Sequence, residues 1–420
     1  MTLDLNLIRS HFPALRRPVI YFDNPGGTQI TQMALDRMVH YLTLHNANHG
    51  GAFATSRESD AVLEMAHQAV ADWLNAARPD EIVFGANMTT LTLHLSRSIA
   101  RTWQPGDTIV VTRLDHDANI SPWVLAAQDR GCRVRWVDFH PEDGTLDLDD
   151  LARALEEKPR LVAVGYASNA LGTINPVAKI VSMAHAVGAW VYVDAVQYAA
   201  HGPMDVQALE CDFLVCSAYK FFGPHVGVLY GRYDHLQALS AYKVRPAPND
   251  PPGKFETGTQ NHEGIAGVLG ALEYLEWVGR TFGAAVDQPT LAVYSGRRRT
   301  FKQAMLAIQA YEANLSRALL DVLEAIPGVT VYGLRDRARL AERVPTVSFT
   351  LAGWLPQAVA TALDQAGIYV WDGNFYALAV TERLGLEGKG GLVRVGPVHY
   401  NTPDEVQRLG DALARLVRQA

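Results

Sequence analysis

Short apolar runs alternate with longer amphipathic segments over most of the chain. Runs rich in β-branched residues predict buried strands at 82–84, 108–112, 133–138, 160–165, 190–193, 213–216 and 226–231. Between them, apolar residues recur at helical spacing and predict helices at 32–44, 60–76 (capped by Ser59 or Asp60), from Thr89, 148–157, 176–187, from Asp234 and 264–278. This β-α alternation is typical of an α/β fold with a mostly parallel sheet and right-handed crossovers.

A different pattern follows residue 286. A long amphipathic helix at 300–326 precedes strands at 329–333, 345–350, 368–371 and 391–395, with helices at 355–366 and 403–417. Such a run of strands and helices predicts a smaller α+β domain. We expect a large domain at 20–285 and a small domain formed by 1–19 together with 286–420.

Composition adds few constraints. The 420 residues are 48% hydrophobic and carry a net charge of −7 with both signs interspersed, which gives no reason to expect nucleic acid or an anionic membrane as partner. No apolar run reaches the roughly 18 residues of a membrane span, and the N-terminus lacks a cleavable apolar core. The three cysteines have no metal-like spacing, so neither a metal site nor a disulfide framework is predicted. We expect a cytoplasmic protein.

Two predicted strands end in residues that can carry chemistry. The strand at 190–193 leads into Asp194, and the strand at 213–216 leads into Ser217 and then Lys220. In open α/β sheets, ligands bind at the carboxyl ends of strands. The simpler interpretation of Lys220 is a lysine on the protein surface. Its aromatic and glycine neighbours instead favour an enclosed amine that can form a Schiff base. Asp194 would then be the acid at the pyridinium nitrogen of a cofactor.

Several segments resemble the pyridoxal-phosphate enzymes of aminotransferase class V, and among these the cysteine desulfurases. The segments are YFDNPGGTQ, ASNALGTINPV, VYVDAVQY, DFLVCSAYKFFGP, DGNFYAL and RVGPVHYNT. The resemblance extends over nearly the whole chain. It implies fold type I, with a seven-stranded-type sheet in the large domain, and pyridoxal 5'-phosphate as cofactor.

The resemblance also implies roles for particular residues. Lys220, Asp194 and His116 are the expected catalytic residues, with His116 over the pyridine ring. The expected cofactor contacts are these three together with Asn87, Met88, Thr89, Asn169, Gln197, Ser217, Tyr219 and Thr259. Asn87 to Thr89 form the phosphate loop, Gln197 donates to the ring oxygen, and Thr259 reaches the phosphate of the neighbouring subunit in a homodimer.

Three residues are expected to contact the substrate. They are Asn24, Asn169 and Arg394, with the Arg394 fork on the α-carboxylate. Structural readings compete for each of them: a plain connecting loop for Asn24, a turn for Asn169 and a salt bridge for Arg394. His116 also has a structural reading, because a lone histidine is more often structural than catalytic.

The sequence departs from the desulfurase pattern at three places. Tyr376 stands where those enzymes carry their catalytic cysteine, and no cysteine occurs after Cys216. Trp371 stands where an arginine is frequent, and Tyr219 replaces the usual histidine before the lysine. A persulfide requires an accessible thiolate, so we expect no ordinary persulfide-forming activity.

The expected chemistry proceeds through an external aldimine and a Cα carbanion on an amino acid. Our first hypothesis is a C–S (β-elimination) lyase acting on a cysteine-derived amino acid. The second is an aminotransferase or an amino-acid epimerase of the same class, and a non-catalytic cofactor-binding protein is a third reading. A nicotinamide-dependent dehydrogenase is disfavoured, because no G-x-G-x-x-G follows the first strands.

Overall fold

The computed structural model describes residues 3–286 and 288–419 of the chain. Its strands, numbered in chain order, are β1 (Ile20–Tyr21), β2 (Ile82–Gly85), β3 (Thr108–Thr112), β4 (Arg133–Val137), β5 (Phe139–His140), β6 (Thr145–Leu146), β7 (Leu161–Gly165), β8 (Trp190–Asp194), β9 (Phe213–Ser217), β10 (Gly227–Gly231), β11 (Val329–Tyr332), β12 (Val347–Leu351), β13 (Ile368–Tyr369), β14 (Trp371–Gly373) and β15 (Leu392–Val395). Its α-helices are α1 (Leu5–Ser10), α2 (Gln32–His40), α3 (Ala54–Leu74), α4 (Met88–Ala100), α5 (Ser121–Arg130), α6 (Leu148–Leu155), α7 (Val177–His185), α8 (Val206–Leu209), α9 (Tyr233–Ala238), α10 (His262–Phe282), α11 (Gly296–Glu324), α12 (Pro356–Gln365), α13 (Leu378–Arg383) and α14 (Pro403–Gln419).

The predicted mostly parallel sheet is present. Seven strands pair in the order β2-β10-β9-β8-β7-β3-β4. All neighbours are parallel except β10, which runs antiparallel to both β2 and β9. The carboxyl ends of β3, β7, β8 and β9 therefore meet along one edge of the sheet.

Both faces of this sheet are covered. In β8, Val191 and Val193 belong to one buried apolar cluster and Tyr192, between them, belongs to the other. Successive side chains of a strand point to opposite faces, so a strand buried on both faces reads as a continuous apolar run rather than an alternating one. This burial explains why the apolar runs located the strands in the sequence.

The C-terminal part holds a second, antiparallel sheet in the order β11-β12-β15-β14. The first strand of the chain, β1, pairs in parallel with β13 of this part. The long helix α11 packs against α3 and α10 as well as against α14. The domain boundaries at residues 20 and 286 remain a prediction.

Two helix boundaries differ from the sequence analysis. Helix α3 begins at Ala54 rather than near residue 60. The two side chains predicted to cap it have other partners: the buried Ser59 hydroxyl lies 2.7 Å from Tyr41 Oη, and Asp60 accepts the Gly50 N–H at 3.0 Å. Both predicted caps are thus engaged elsewhere. The helix predicted to reach residue 44 ends as α2 at His40 and continues in a wider π-helical turn. Across residues 3–286 and 288–419, no helix combines the length and apolar character that crossing a bilayer requires.

Candidate active site

A cavity lies at the carboxyl edge of the parallel sheet. Its volume, including the part that is open to solvent, is about 480 Å³. Eight of the predicted site residues line it, namely Met88, Thr89, His116, Asn169, Asp194, Gln197, Tyr219 and Lys220. The sheet topology brings them together, because each follows a strand or begins the helix after one.

Lys220 is held at the end of a short turn. Strand β9 ends at Ser217, and one 3₁₀ turn carries the chain to Lys220, with Phe221 and Phe222 buried behind it. Phe222 has a left-handed backbone, with φ at 71°. The Lys220 amine donates to the carbonyl oxygen of Pro25. Burial, aided by the positive charge of Arg394, lowers the pKa of Lys220 to about 7, so that neutral amine is available near neutral pH.

Asp194 is a buried carboxylate at the end of β8. Its Oδ1 accepts the N–H of Val196 at 2.9 Å. Burial raises the pKa of Asp194 to about 6, while that backbone hydrogen bond and Lys220 act in the opposite direction. At neutral pH the group is therefore an anion that a nearby protonated nitrogen would stabilise further.

His116 has a defined tautomer. Its Nδ1 accepts the N–H of Ala118 at 3.0 Å, so the proton of the neutral ring is on Nε2. Burial, with the charges of Lys220 and Arg394, lowers the pKa of His116 to about 3. The imidazole is thus a neutral Nε2–H donor at physiological pH.

The DGNFYAL segment is hydrogen-bonded to Asn169, which lines the cavity, and to Asp117, which follows His116. Phe375 and Tyr376 both have left-handed backbones, with φ at 58° and 57°. Asn169 Nδ2 donates to the Phe375 carbonyl at 2.9 Å. Asp117 N–H donates to the Tyr376 carbonyl at 2.7 Å. The segment is therefore fixed to the large sheet through backbone groups on both sides of His116.

Arg394 is buried beside this segment. Its guanidinium lies 4.5 Å from the ring centre of Phe375, and it donates to the carbonyl of Asn169 and to Asp23 Oδ1, each at 3.2 Å. Nε of Arg394 is buried without a partner among the described residues. The sequence analysis missed Asp23, although an acid in YFDNPGGTQ, directly before the glycine loop, was a signal for it.

Asp115 is a second residue that the sequence analysis missed. It lines the cavity and accepts the Gly165 N–H at 2.7 Å and Asn119 Nδ2 at 3.0 Å. Burial, together with the negative charge of Asp194, raises the pKa of Asp115 to about 8. The signal for it was its position between the end of β3 and His116.

The loop predicted to bind phosphate leads directly into α4, and its three members have different contacts. The Asn87 side chain caps α4 by accepting the Thr90 N–H at 2.9 Å. Ser217 Oγ accepts the Met88 N–H at 2.9 Å, which ties the end of β9 to the start of α4. Asn87 and Ser217 therefore hold the helix start and do not line the cavity, whereas Thr89 is exposed there.

Two further residues lie away from the cavity. Asn24 was predicted to contact substrate, but its Nδ2 donates to the Gly396 carbonyl at 2.7 Å and its Oδ1 accepts the Tyr400 hydroxyl. Its amide thus braces the N-terminal loop against the C-terminal part. Thr259 is exposed and lines a separate depression, so within its own chain it does not reach the cavity.

Gln197 lines the cavity, but its amide nitrogen is already engaged. Its Nε2, predicted to donate to the ring oxygen, instead donates to Thr346 Oγ1 at 2.9 Å. Its Oε1 is buried without a partner among the described residues, and so is Oδ1 of Asn169. Both are acceptors on residues that line the cavity, and a ligand with hydrogen-bond donors would satisfy them.

The three cysteines are free thiols and none lines the cavity. Cys216 and Cys211 are buried, and burial raises the pKa of both thiols. Cys132 immediately precedes β4, at the amino end of the sheet.

Comparison with known proteins agrees with this geometry. The model of the family described as Aminotransferase class-V matches residues 20–289 and 299–409. A protein described as "Cysteine desulfurase" from Pectobacterium atrosepticum is 33% identical over 100% of this chain and 99% of its own length. "Aminotransferase-like protein FGM3" from Gibberella zeae is 36% identical over 97% of this chain and 96% of its own length. The apo cysteine desulfurase of Thermococcus onnurineus NA1 superposes with a TM-score of 0.88 at 27% identity, covering 100% of this chain and 99% of that structure.

Proposed function

Because this chain belongs to the class-V aminotransferase family, and is thus a pyridoxal-phosphate-dependent enzyme of fold type I acting on amino acids, we propose that its reaction is C–S β-elimination. The proposed substrate is a cysteine-derived amino acid, and no persulfide forms on the protein. One observation carries the proposal: Lys220, Asp194 and His116 line one cavity that contains no thiol.

The residues of the cavity fit the cofactor. Lys220 supplies an amine with a lowered pKa, Asp194 supplies a buried anion, and Asn169 and Gln197 present unpartnered buried oxygens. Thr89, at the start of α4, adds a hydroxyl where the helix dipole favours a phosphate. When bound, pyridoxal phosphate supplies an aldehyde for amines and a ring that accepts the electron pair released at Cα.

The protein groups then divide the proton transfers between them. The neutral Lys220 amine takes the proton from the substrate Cα. Asp194, a buried anion, would hold a proton on the ring nitrogen of the bound cofactor. As the Cβ–S bond breaks, the sulfur keeps the electron pair and accepts the proton that Lys220 Nζ took from Cα. The Nε2–H of neutral His116 can stabilise the leaving sulfur by a hydrogen bond. The remaining three-carbon fragment hydrolyses to pyruvate and ammonia.

Arg394 is suited to the substrate carboxylate. Nε of its buried fork has no partner among the described residues and lies beside the amino group that now contacts Asp23. A substrate carboxylate can bind both in bidentate fashion once Asp23 releases its hydrogen bond. This arrangement favours an α-amino acid over a simple amine.

A panel of amino acids, scored by cofactor spectrum and by product, tests the proposal. Release of pyruvate, ammonia and a sulfur species from cysteine derivatives supports elimination. Keto-acid-dependent amino transfer, or racemisation without a keto product, would instead support the second candidate, an aminotransferase or an epimerase. The 36% identity to an aminotransferase-like relative is the observation that favours this second candidate.

We also propose a homodimer in which Thr259 contributes to the cofactor site of the partner subunit. The exposed position of Thr259, outside the cavity of its own chain, supports this proposal. Light scattering should give the mass of a dimer, and Thr259→Ala should weaken cofactor binding without affecting the dimer. A monomeric holoenzyme would refute the shared site.

A further inference from the structure

Three aromatic residues of the C-terminal part adjoin two residues of the predicted site. They are Trp371, Phe375 and Tyr376, which we call the aromatic rim. The Phe375 ring lies against the guanidinium of Arg394, and the Tyr376 ring stacks on the imidazole of His116. The rim therefore touches both the expected carboxylate-binding residue and one of the expected catalytic residues.

Trp371 shares a face of the small antiparallel sheet with Arg394. The two residues are directly paired across β14 and β15, and paired residues of antiparallel strands point to the same face. Ser348 is paired with Arg394 on its other side, and its Oγ donates at 2.5 Å to the carbonyl oxygen of Ala170, the residue after Asn169. This face is thus turned toward the turn that borders the cavity, and Trp371 lies at its edge.

Two members of the rim are exposed to solvent. Trp371 is 53% exposed and Tyr376 is 74% exposed. Large apolar side chains that are exposed beside a cavity are typical of a ligand-binding surface. The left-handed backbone of Phe375 and Tyr376 is unfavourable for residues other than glycine, and hydrogen bonds to Asn169 and Asp117 maintain it. The two rings are therefore presented in a fixed position.

A bulky substrate side chain has to extend toward this rim. The cavity volume of about 480 Å³ includes the part that is open to solvent, and the same space must hold the cofactor. A substrate with its carboxylate on Arg394 and its Cα beside Lys220 has little room inside for a large third substituent. Outside the cavity, the aromatic rings favour an apolar or aromatic group over a charged one.

We propose that the aromatic rim selects substrates whose sulfur carries an apolar group, preferably an aromatic one, so that the enzyme acts on S-substituted cysteines in preference to cysteine. The inference rests on the proposed elimination for the presence of sulfur, whereas the preference for an apolar side chain is independent of the reaction. Trp371 and Tyr376 do not line the inner cavity and act as specificity-determining residues.

Two amino acids that cannot undergo the elimination separate the binding preference from the reaction. Homophenylalanine has a CH₂ group in place of the sulfur of S-phenylcysteine, and 2-aminobutyrate has a CH₃ group in place of the thiol of cysteine. Titration of the full-length holoenzyme, followed by the cofactor spectrum, should give homophenylalanine a Kd at least about tenfold below that of 2-aminobutyrate. An equal or higher Kd for homophenylalanine, or no binding of it, would overturn the proposal.

Variants of the rim test which residues carry the preference. Trp371→Ala should reduce it by about three- to tenfold, and Trp371→Phe, which keeps a ring, should retain most of it. Tyr376→Ala should also reduce it. Trp354→Ala is the matched control, because Trp354 is a partly buried tryptophan in a separate groove beside α12 and α14, and both Kd values should be unchanged. A preference that survives in both rim alanine variants, or that Trp354→Ala reduces equally, would overturn the proposal.

The reaction is measured separately with S-phenylcysteine. Its elimination and the following hydrolysis consume one water and release thiophenol, pyruvate and ammonia. If homophenylalanine is preferred but S-phenylcysteine gives none of these products, the proposed elimination fails and the role of the rim stands. If S-phenylcysteine and cysteine are cleaved with equal kcat/KM and homophenylalanine is not preferred, the elimination stands and the role of the rim fails.

Discussion

The phenol ring of Tyr376 lies against the imidazole of His116, with ring centroids 5.5 Å apart and planes inclined by 22°. Tyr376 is 74% exposed, so it reaches the histidine from the solvent side. It occupies the place that the resemblance gives to the catalytic cysteine of desulfurases. An aromatic ring thus stands beside His116 at the position where the resemblance implies a thiol.

Removing this ring should impair turnover more than stability. Aromatic pairs contribute about 0.5–1.5 kcal/mol, so Tyr376→Ala should lower kcat by up to about tenfold through a loosened His116. Tyr376→Phe keeps the ring and should retain most of the wild-type rate. The kcat of both variants should be measured by steady-state kinetics, with the substrate that the panel of amino acids identifies. Equal rates for Tyr376→Ala and Tyr376→Phe would show that the stacking is incidental.

No persulfide should form on the protein during turnover. The cavity residues include no cysteine, and the more accessible thiol, Cys132, lies at the opposite end of the sheet. After incubation with cysteine, alkylation and mass spectrometry should find Cys132, Cys211 and Cys216 without added sulfur. Cys132→Ser should leave product formation unchanged. Sulfur bound to any of the three would contradict this part of the account.

Arg394→Lys should weaken substrate binding rather than cofactor binding. A lysine has no planar fork, so one of two charge-assisted hydrogen bonds to the carboxylate is lost. We expect KM to rise by about 10- to 100-fold, with the Kd for the cofactor unchanged.

Arg343→Lys is the control for the loss of a buried arginine. Arg343 is buried, does not line the cavity and donates to backbone carbonyls, as in its 2.5 Å bond to Thr346 O. Arg343→Lys should lower the Tm but leave KM unchanged. A similar rise of KM in both variants would mean that Arg394 acts through folding alone.

The rate at which apo protein captures pyridoxal phosphate should depend on the protonation of Lys220. Only the neutral amine attacks the aldehyde, and the lowered pKa of Lys220, about 7, means that the neutral form appears as pH rises through that value. The rate should therefore increase around pH 7 and level off above it. Asp23→Asn removes a negative charge that raises the pKa of Lys220, so the midpoint should move to lower pH. A rate still rising steeply toward the ordinary lysine pKa of 10.5 would contradict an enclosed amine.

The sequence predicted the sheet and the residues at its carboxyl edge because both depend on local patterns. Strands buried on two faces read as apolar runs, and the residues after them necessarily meet at one edge. The roles of Asn24 and Asn87 could not be predicted in this way. Asn24 acts as a brace only because Gly396 and Tyr400 lie beside it, and those contacts span more than 370 positions of sequence.

The orientation of Gln197 shows the same limit. Its Nε2 donates to Thr346 Oγ1, and that partner lies 149 positions away in the sequence. Asp23 and Asp115 were missed for a related reason. Each directly precedes a predicted site residue, but its role depends on a charged group that is distant in the sequence. Asp23 forms a salt bridge with Arg394, and the negative charge of Asp194 raises the pKa of Asp115.

Locating the cofactor on the protein tests the central claim most directly. Borohydride reduction of the holoenzyme fixes pyridoxal phosphate on the amine to which it is bound, and peptide mass spectrometry then identifies that lysine. Lys302 is an internal control, because it too is buried with a pKa lowered to about 8, but it does not line the cavity. The account predicts the label on Lys220 with none on Lys302, and no visible cofactor band in Lys220→Ala. A label on Lys302 or on a surface lysine instead of Lys220, or an unchanged band in Lys220→Ala, would contradict it.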